Sequence, residues 1–480
     1  MKERQILQKA QRDPVWFVEE VLNAHPWEKQ AEILRAVRDY PRTAVRSCHG
    51  VGKSFIAGQV ILWFLSCFPY SIVLSTAPTW RQVEKLIWKE VRASYRRAKI
   101  PLGGNLLPKS PEIQIVQDEW YAAGLSTNEP DRFQGFHEEN ILVVVDEAAG
   151  VPEEIFEAIE GVLTSSNARL LLLGNPTSTA GTFFQAFRGG GWKTLSISAF
   201  DTPNFMAFGI TESDIAADTW RNKITGPLPN PKLITPEWVA DKYRRWGPES
   251  PAYIARVKGE FPPESEDTLI PLAWIEAAME RWHDMEHGEP VELGVDVARF
   301  GSDKTVIGVR HGWKVIALHD YSQQDTMETA GRVIQAYKEH RATDIKIDVI
   351  GLGAGVADRL REQSAPVTEV NVAEKPNDPE NFDNLRSELW WNLRQLLDPN
   401  TKMNPNPIGL PPNDELLADL SGIKYKINSS GKIVVESKAE MKKRLGRSPD
   451  YGDAVCLLFA KGRRMNIDAL RALASIKIYR

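Results

Sequence analysis

Two groups of residues in this chain have the types and spacing to work on phosphate esters. The first is Ser47-Cys48-His49-Gly50-Val51-Gly52-Lys53-Ser54. It reads as a strand end, a glycine turn and a helix start, and it matches the phosphate-loop pattern G-x-x-x-x-G-K-[ST] except that Ser47 holds the first glycine position. Glycines let backbone N–H groups turn inward around phosphate oxygens. Lys53 would reach the β- and γ-phosphates of ATP, and the Ser54 hydroxyl would ligate Mg²⁺. A helix N-terminus adds its dipole to the anion site. Ser47 in place of glycine matters little, because backbone donors do the cradling. The plain alternative is a strand-to-helix turn with an exposed lysine.

Four further features bear on the choice between these. Ile141–Val145 is a continuous apolar run ending in Asp146-Glu147. A buried parallel strand ending this way places Asp146 in the Mg²⁺ shell, and lets Glu147 deprotonate the attacking water. Leu170–Leu173 is another such strand, ending Gly174-Asn175-Pro176-Thr177. Asn175 could sense the γ-phosphate there, although Gly, Asn and Pro also simply favour turns. Upstream, Trp27 and Gln30 could sandwich and hydrogen-bond adenine; otherwise Trp27 is core and Gln30 surface. Arg132, in the loop Asp131–Gly135, is the candidate arginine finger, in cis or on a neighbour, with a surface salt bridge as its alternative.

The second group is acidic. Asp296 lies in the β-branched run Val291–Val297, Asp348 near the end of Ile345–Val349, and Asp453 on a late helix opened by Ser448-Pro449-Asp450. Two strands follow the first, Thr305–Val309 and Lys314–Leu318, and a helix, Thr326–Glu339, precedes the second acid. Acids in this order converge on one sheet edge in RNase H-like nucleases. Such carboxylates can hold two Mg²⁺ or Mn²⁺ ions, one activating water and the other stabilising the leaving oxygen of a phosphodiester. Hard oxygen ligands without His/Cys clusters suit these metals rather than Zn²⁺. Asp303 is expected nearby, with the turn Arg299–Asp303 folding it over the strand end. Taken singly, each acid reads as a turn or cap residue.

Around these groups the chain must supply two α/β domains. At 480 residues it is long for one domain at about 150 residues each. Hydrophobic residues are 42% and charged residues 26%, an ordinary globular balance. Three cysteines, Cys48, Cys67 and Cys456, lack metal-ligand spacing and fit a reducing compartment. The charged N-terminus reads as no signal peptide, and the apolar run Phe55–Phe68 is too short to span a bilayer. A net charge of −5 argues against a DNA-coating protein but leaves room for local basic patches. Candidate patches are Arg92, Arg96, Arg97 and Lys99 on the helix Arg81–Ala98, and Lys438, Lys442, Lys443, Arg444 and Arg447 just before Asp453. The expected layout is a P-loop ATPase domain with a parallel sheet over 1–200 and a Pro-rich linker or lid over 201–288. A mixed-sheet RNase H-like nuclease domain over 289–462 and a tail over 463–480 complete it.

With both groups in view, the chain resembles the large terminase subunit of tailed double-stranded DNA phages. The resemblance rests on Ser47–Ser54, Ile141–Glu147, Gly174–Thr177, Gly294–Ala298 with Asp303, Ile347-Asp348 and Ser448–Ala454, in that order. It implies a motor that hydrolyses ATP with Mg²⁺ to push double-stranded DNA into a procapsid, and a nuclease that cuts concatemers. It also implies a ring of subunits on a portal, a small terminase subunit that selects DNA, and action in the host cell cytoplasm. An RNase H-like recombinase or transposase would share the three acids but not need Lys53 and Glu147. A helicase would need a second RecA-like domain where acidic strands stand instead.

Overall fold

The computed structural model describes residues 2–460, apart from 109, 118, 128–132, 134, 264–266, 299–302, 323–324 and 400–406. Arg132 and the 463–480 tail therefore lie outside the described residues. The chain divides into two compact units, Met1–Glu264 and Ser265–Arg480. Both are α/β, as the alternation of apolar runs and helical stretches leads one to expect.

The first unit is built on an eight-stranded sheet. Its strands are β1 (Arg42–Ser47), β2 (Ser71–Thr76), β3 (Asn105–Leu106), β4 (Glu112–Val116), β5 (Trp120–Gly124), β6 (Asn140–Val145), β7 (Asn167–Gly174) and β8 (Lys193–Ile197). In space they run β3-β4-β5-β2-β6-β7-β1-β8. The six strands from β5 to β8 are parallel, and β4 and β3 extend the sheet antiparallel. The apolar runs of β6 and β7 are buried almost throughout, as parallel strands covered on both faces must be. The helix Lys53–Cys67 is apolar nearly all round and lies in the core.

This strand order places β7 between β1 and β6. Whatever follows β7 is thereby set between the phosphate loop after β1 and the acids after β6. The chain from Ala199 to Phe261 packs within the same unit. Phe261 joins the core beside Phe183 and Phe187.

The second unit carries β9 (Val291–Asp296), β10 (Thr305–His311), β11 (Lys314–Tyr321), β12 (Asp344–Asp348) and β13 (Val367–Val370), in the spatial order β11-β10-β9-β12-β13. The first three form an antiparallel meander; β12 and β13 run parallel to β9. This is the mixed RNase H-like sheet. Because β9 and β12 are parallel neighbours with Val295 opposite Ile347, Asp296 and Asp348 leave the sheet at one edge. A hairpin, β14 (Tyr425–Ile427) and β15 (Ile433–Val435), stands apart from the main sheet.

The late helix Asp450–Leu458 lies across β9 and β10, and two glycines let it approach. A Cβ on Gly294 would fall 2.5 Å from the Ala454 carbonyl oxygen and 2.8 Å from Leu458 N, and one on Gly308 3.0 Å from a Leu458 methyl. The helix is anchored at both ends. At its start, the buried Asp419 carboxylate accepts hydrogen bonds from the backbone N–H groups of Tyr451 (3.0 Å) and Gly452 (3.1 Å) and pairs with Arg447. At its end, the Leu458 carbonyl accepts from Arg310 Nε (2.9 Å) and Lys346 Nζ (3.1 Å). Both cations are paired to Glu292 on β9. A helix C-terminus favours such cations.

Candidate active sites

The site of the first unit forms around the loop after β1. Gly50 (φ +66°) and Gly52 (φ +81°) hold left-handed backbone that a side chain would strain. Lys53 Nζ donates to Asn175 Oδ1 (2.9 Å) and lies 3.4 Å from Glu147 Oε1. Ser54 Oγ donates to Asp146 Oδ2 (2.8 Å), and Glu147 N to Asp146 Oδ1 (3.0 Å). Asn175 Nδ2 donates to the Ser47 carbonyl (2.7 Å), while its backbone N reaches Glu147 Oε2 (3.5 Å). Asn175 thus ties the loop, its lysine and the acid pair together, as the position of β7 requires.

The electrostatics suit a cation site. Burial, and then the neighbouring Glu147 carboxylate, push Asp146 up to about 6. Glu147 stands at φ 48°, ψ 45°, a left-handed conformation uncommon outside glycine. The His49 imidazole is held well below its ordinary pKa by burial and by the cations Arg256 and Lys53. Burial pushes the Cys48 thiol far up. Ser47 is fully buried, its hydroxyl donating to the Cys48 carbonyl.

Trp27 and Gln30 do stand beside the loop, but their polar groups face its backbone. Gln30 Oε1 accepts from Trp27 N (3.3 Å), and Nε2 donates to the Val51 carbonyl (3.1 Å). Trp27 Nε1 points to the same carbonyl (3.4 Å). The Gln30 amide is therefore already engaged at both ends. A set of clamps on the loop was not visible in the sequence. Cys48 N donates to the Ile197 carbonyl, His49 N to Arg256 O and Ile234 N to Gly50 O. The buried Asn204 fixes the strap carrying Ile234 through bonds to Asn230, Leu233 and Ile234.

In the second unit, Asp296, Asp348 and Asp453 line one small cavity (about 10 Å³) with Arg386, Trp390 and Lys438. The Lys438 ammonium occupies the point where the acids face one another. It donates to both Asp296 oxygens (2.8 Å each) and lies 3.3 Å from Asp453 Oδ2. Asp453 Oδ1 accepts from Trp390 Nε1 (2.8 Å) and pairs with Arg386 Nη1. Burial raises Asp296 above the ordinary carboxylate range and lifts Asp348 to about 6. Burial also works to raise Asp453, but Arg386 and Lys438 outweigh it and hold that carboxyl low.

No group of three or more His, Cys, Asp or Glu among the described residues is disposed to hold a metal ion. The donor set nonetheless fits Mg²⁺ or Mn²⁺. The oxygens are hard, and the Lys438 ammonium already takes the cation position, 2.8 Å from both Asp296 oxygens and 3.3 Å from the buried Asp453 Oδ2.

Asp303 does not join these acids; its carboxylate accepts from Lys442 Nζ (2.6 Å) and Ser448 Oγ (3.1 Å). Asp450 comes closer to that role. It is buried one helical turn before Asp453, accepts from Lys304 N (2.8 Å), and is pushed up to about 7 by burial and then by the Asp296 charge. The basic run before the late helix is largely engaged in ion pairs. Lys438, Lys442, Arg444 and Arg447 pair with Asp296, Asp303, Glu436 and Asp419. The earlier basic helix likewise spends Arg92 and Arg97 on Ser110 and Ser94, and Lys99 beyond it pairs with Glu20.

Over 452 residues the chain is 26% identical to the probable large terminase subunit of Enterobacteria phage P7, covering 90% of this chain and 87% of that protein. The chain resembles a phage large terminase subunit. No family model matches it. Among solved structures, the nuclease domain of the large terminase subunit gp2 of bacterial virus Sf6 is 23% identical. It covers 40% of this chain and 99% of that one, with a TM-score of 0.37. The large terminase of a thermophilic bacteriophage, solved in complex with ADP, is 12% identical, with 95% and 99% covered and a TM-score of 0.39. No helix among the described residues is long and apolar enough to cross a membrane.

Proposed function

We propose that the chain is the large subunit of a phage DNA-packaging motor, with an ATPase in the first unit and a DNA endonuclease in the second. The observation that carries the ATPase is the Lys53–Asn175–Glu147 network at the end of β1, β7 and β6. Lys53 and the loop backbone bind the β- and γ-phosphates. Ser54 and Asp146 would hold Mg²⁺, which neutralises charge on the phosphate oxygens when bound. Glu147 orients the attacking water and accepts its proton. Asn175 touches both Lys53 and Glu147, so loss of the γ-phosphate is felt on both sides of it.

In the second unit, Asp296, Asp348 and Asp453 would hold two Mg²⁺ or Mn²⁺ ions. When bound, these supply an activated water and stabilise the leaving oxygen of a phosphodiester. Lys438 must withdraw from Asp296 for a metal to enter. Trp390 keeps Asp453 oriented by its indole N–H.

The partners of this reading are double-stranded DNA, a portal and procapsid, a small terminase subunit and further copies of the chain in a ring. Arg132 would complete a neighbour's ATP site, and the work would be done in the host cytoplasm. The test is whether the purified chain shows DNA-stimulated ATP hydrolysis together with Mn²⁺-dependent nicking of plasmid DNA. Absence of both would remove the proposal.

A further inference from the structure

Resting on the nuclease reading of the second unit, we propose that Arg386 is a catalytic residue whose free guanidinium edge binds the non-bridging oxygens of the phosphodiester being cut. Arg386 lines the acid cavity. Its guanidinium is fixed on two sides: Nη1 pairs with Asp453, and the group lies over the Trp390 ring, 5.5 Å from the centroid. Its backbone N donates to the Val372 carbonyl (2.9 Å), fixing the residue at its root. Yet Nε and Nη2 are buried with no hydrogen-bond partner.

Arg447 in the same unit also leaves Nε and Nη2 without partners beside its Asp419 pair, but unlike Arg386 it does not line the acid cavity; Arg310 is a buried arginine of the other kind. Its Nε, Nη1 and Nη2 all have acceptors: Leu458 O with Glu292, Gly312 O, and Glu292 again. Buried donors left unmade are costly and call for an occupant. The Asp453 Oδ2 oxygen is met by the Lys438 ammonium, 3.3 Å away, so Arg386 reaches Asp453 through Nη1 alone.

The Nε–Nη2 edge is a planar fork of two parallel donors. A phosphodiester monoanion presents two non-bridging oxygens at matching spacing, which is why arginine rather than lysine suits this contact. In hydrolysis a water oxygen bonds to phosphorus and the bond to the leaving sugar oxygen breaks. That oxygen takes one of the water's protons, and the other leaves to solvent from the new phosphate. The two non-bridging oxygens stay in place throughout and carry the charge that Arg386 meets. With Lys438 in place the cavity has room for about one water, so the phosphodiester reaches the fork only once Lys438 has withdrawn, and a water filling the fork is the rival occupant.

The test uses the full chain with Arg386→Lys and Arg386→Ala. Lysine keeps a positive partner for Asp453 but loses the fork. Three quantities are read: plasmid nicking in Mn²⁺, Mn²⁺ binding by calorimetry without DNA, and duplex binding in Ca²⁺ by fluorescence anisotropy. Arg386→Lys should bind Mn²⁺ like wild type yet nick roughly 10²-fold more slowly, the scale of losing one oxyanion donor, with weaker duplex binding. Nicking at the wild-type rate by Arg386→Lys would mean a water or nothing fills the fork, and would overturn the proposal. So would a fall in Mn²⁺ affinity matching the fall in rate, because Arg386 would then act only through Asp453. If wild type itself does not nick, the nuclease reading fails first and takes this proposal with it. Should Arg386→Ala melt early, Arg386→Lys alone carries the test.

Discussion

Lys438 Nζ lies 2.8 Å from each carboxylate oxygen of Asp296. A cation and a metal cannot share those oxygens, so lysine and metal compete. Lys438→Ala should therefore bind Mn²⁺ more tightly than wild type in a calorimetric titration of the full chain. Weaker binding would mean that Lys438 holds the acids together rather than blocking them.

Glu147 faces Lys53 from a strained turn and follows Asp146 directly at that strand end. Glu147→Gln should bind ATP with little change and hydrolyse it about 10²–10⁴-fold more slowly. If calorimetry shows lost nucleotide binding, Glu147 is structural.

Arg132 is proposed to act on a neighbouring subunit. Arg132→Ala mixed with wild type should depress ATPase activity more than its share of the mixture accounts for. Strictly additive activities would rule out a finger in trans.

Asp450 gives a pH signature. Burial and the Asp296 charge lift it to about 7, while an unfolded aspartate titrates near 3.9. Between those values the folded chain holds a proton that the unfolded chain has released. Stability from this group is thus full below the unfolded pKa and lost as pH rises through 7. Asp450→Asn keeps an acceptor for Lys304 N and cannot ionise. In metal-free buffer its melting midpoint should exceed wild type at pH 8, with the gap narrowing toward pH 5. A gap that widens toward acid would contradict the assignment.

The sequence carried the parts of both sites that lie at strand ends. An apolar run that stops at an acid or a glycine-lysine turn has a strong local signal, and Lys53, Asp146, Glu147, Asp296 and Asp348 were legible for that reason. What was not legible is set by packing across distance. Nothing in the spacing of Arg386, Trp390 and Lys438 points to Asp453; they meet it because Gly294, Gly308 and Gly452 let the late helix lie close. The choice between Asp303 and Asp450 was equally closed to pattern reading, since Lys442 and Ser448 draw Asp303 away. The strands β3 to β5 are short and their pairing antiparallel, so they lack the long apolar run that marks the parallel core. Gln30 has the residue type for adenine, but its amide is engaged by Trp27 N on one side and the Val51 carbonyl of the loop on the other.

On the proposed function, ATP hydrolysis belongs to the first unit and DNA cleavage to the second. The most direct measurement is ATP turnover and Mn²⁺-dependent plasmid nicking, assayed side by side on Lys53→Ala and Asp296→Asn. Lys53→Ala should lose ATP turnover and keep nicking, while Asp296→Asn should lose nicking and keep ATP turnover. If Lys53→Ala turns over ATP normally, or Asp296→Asn cuts like wild type, the corresponding site has been misassigned.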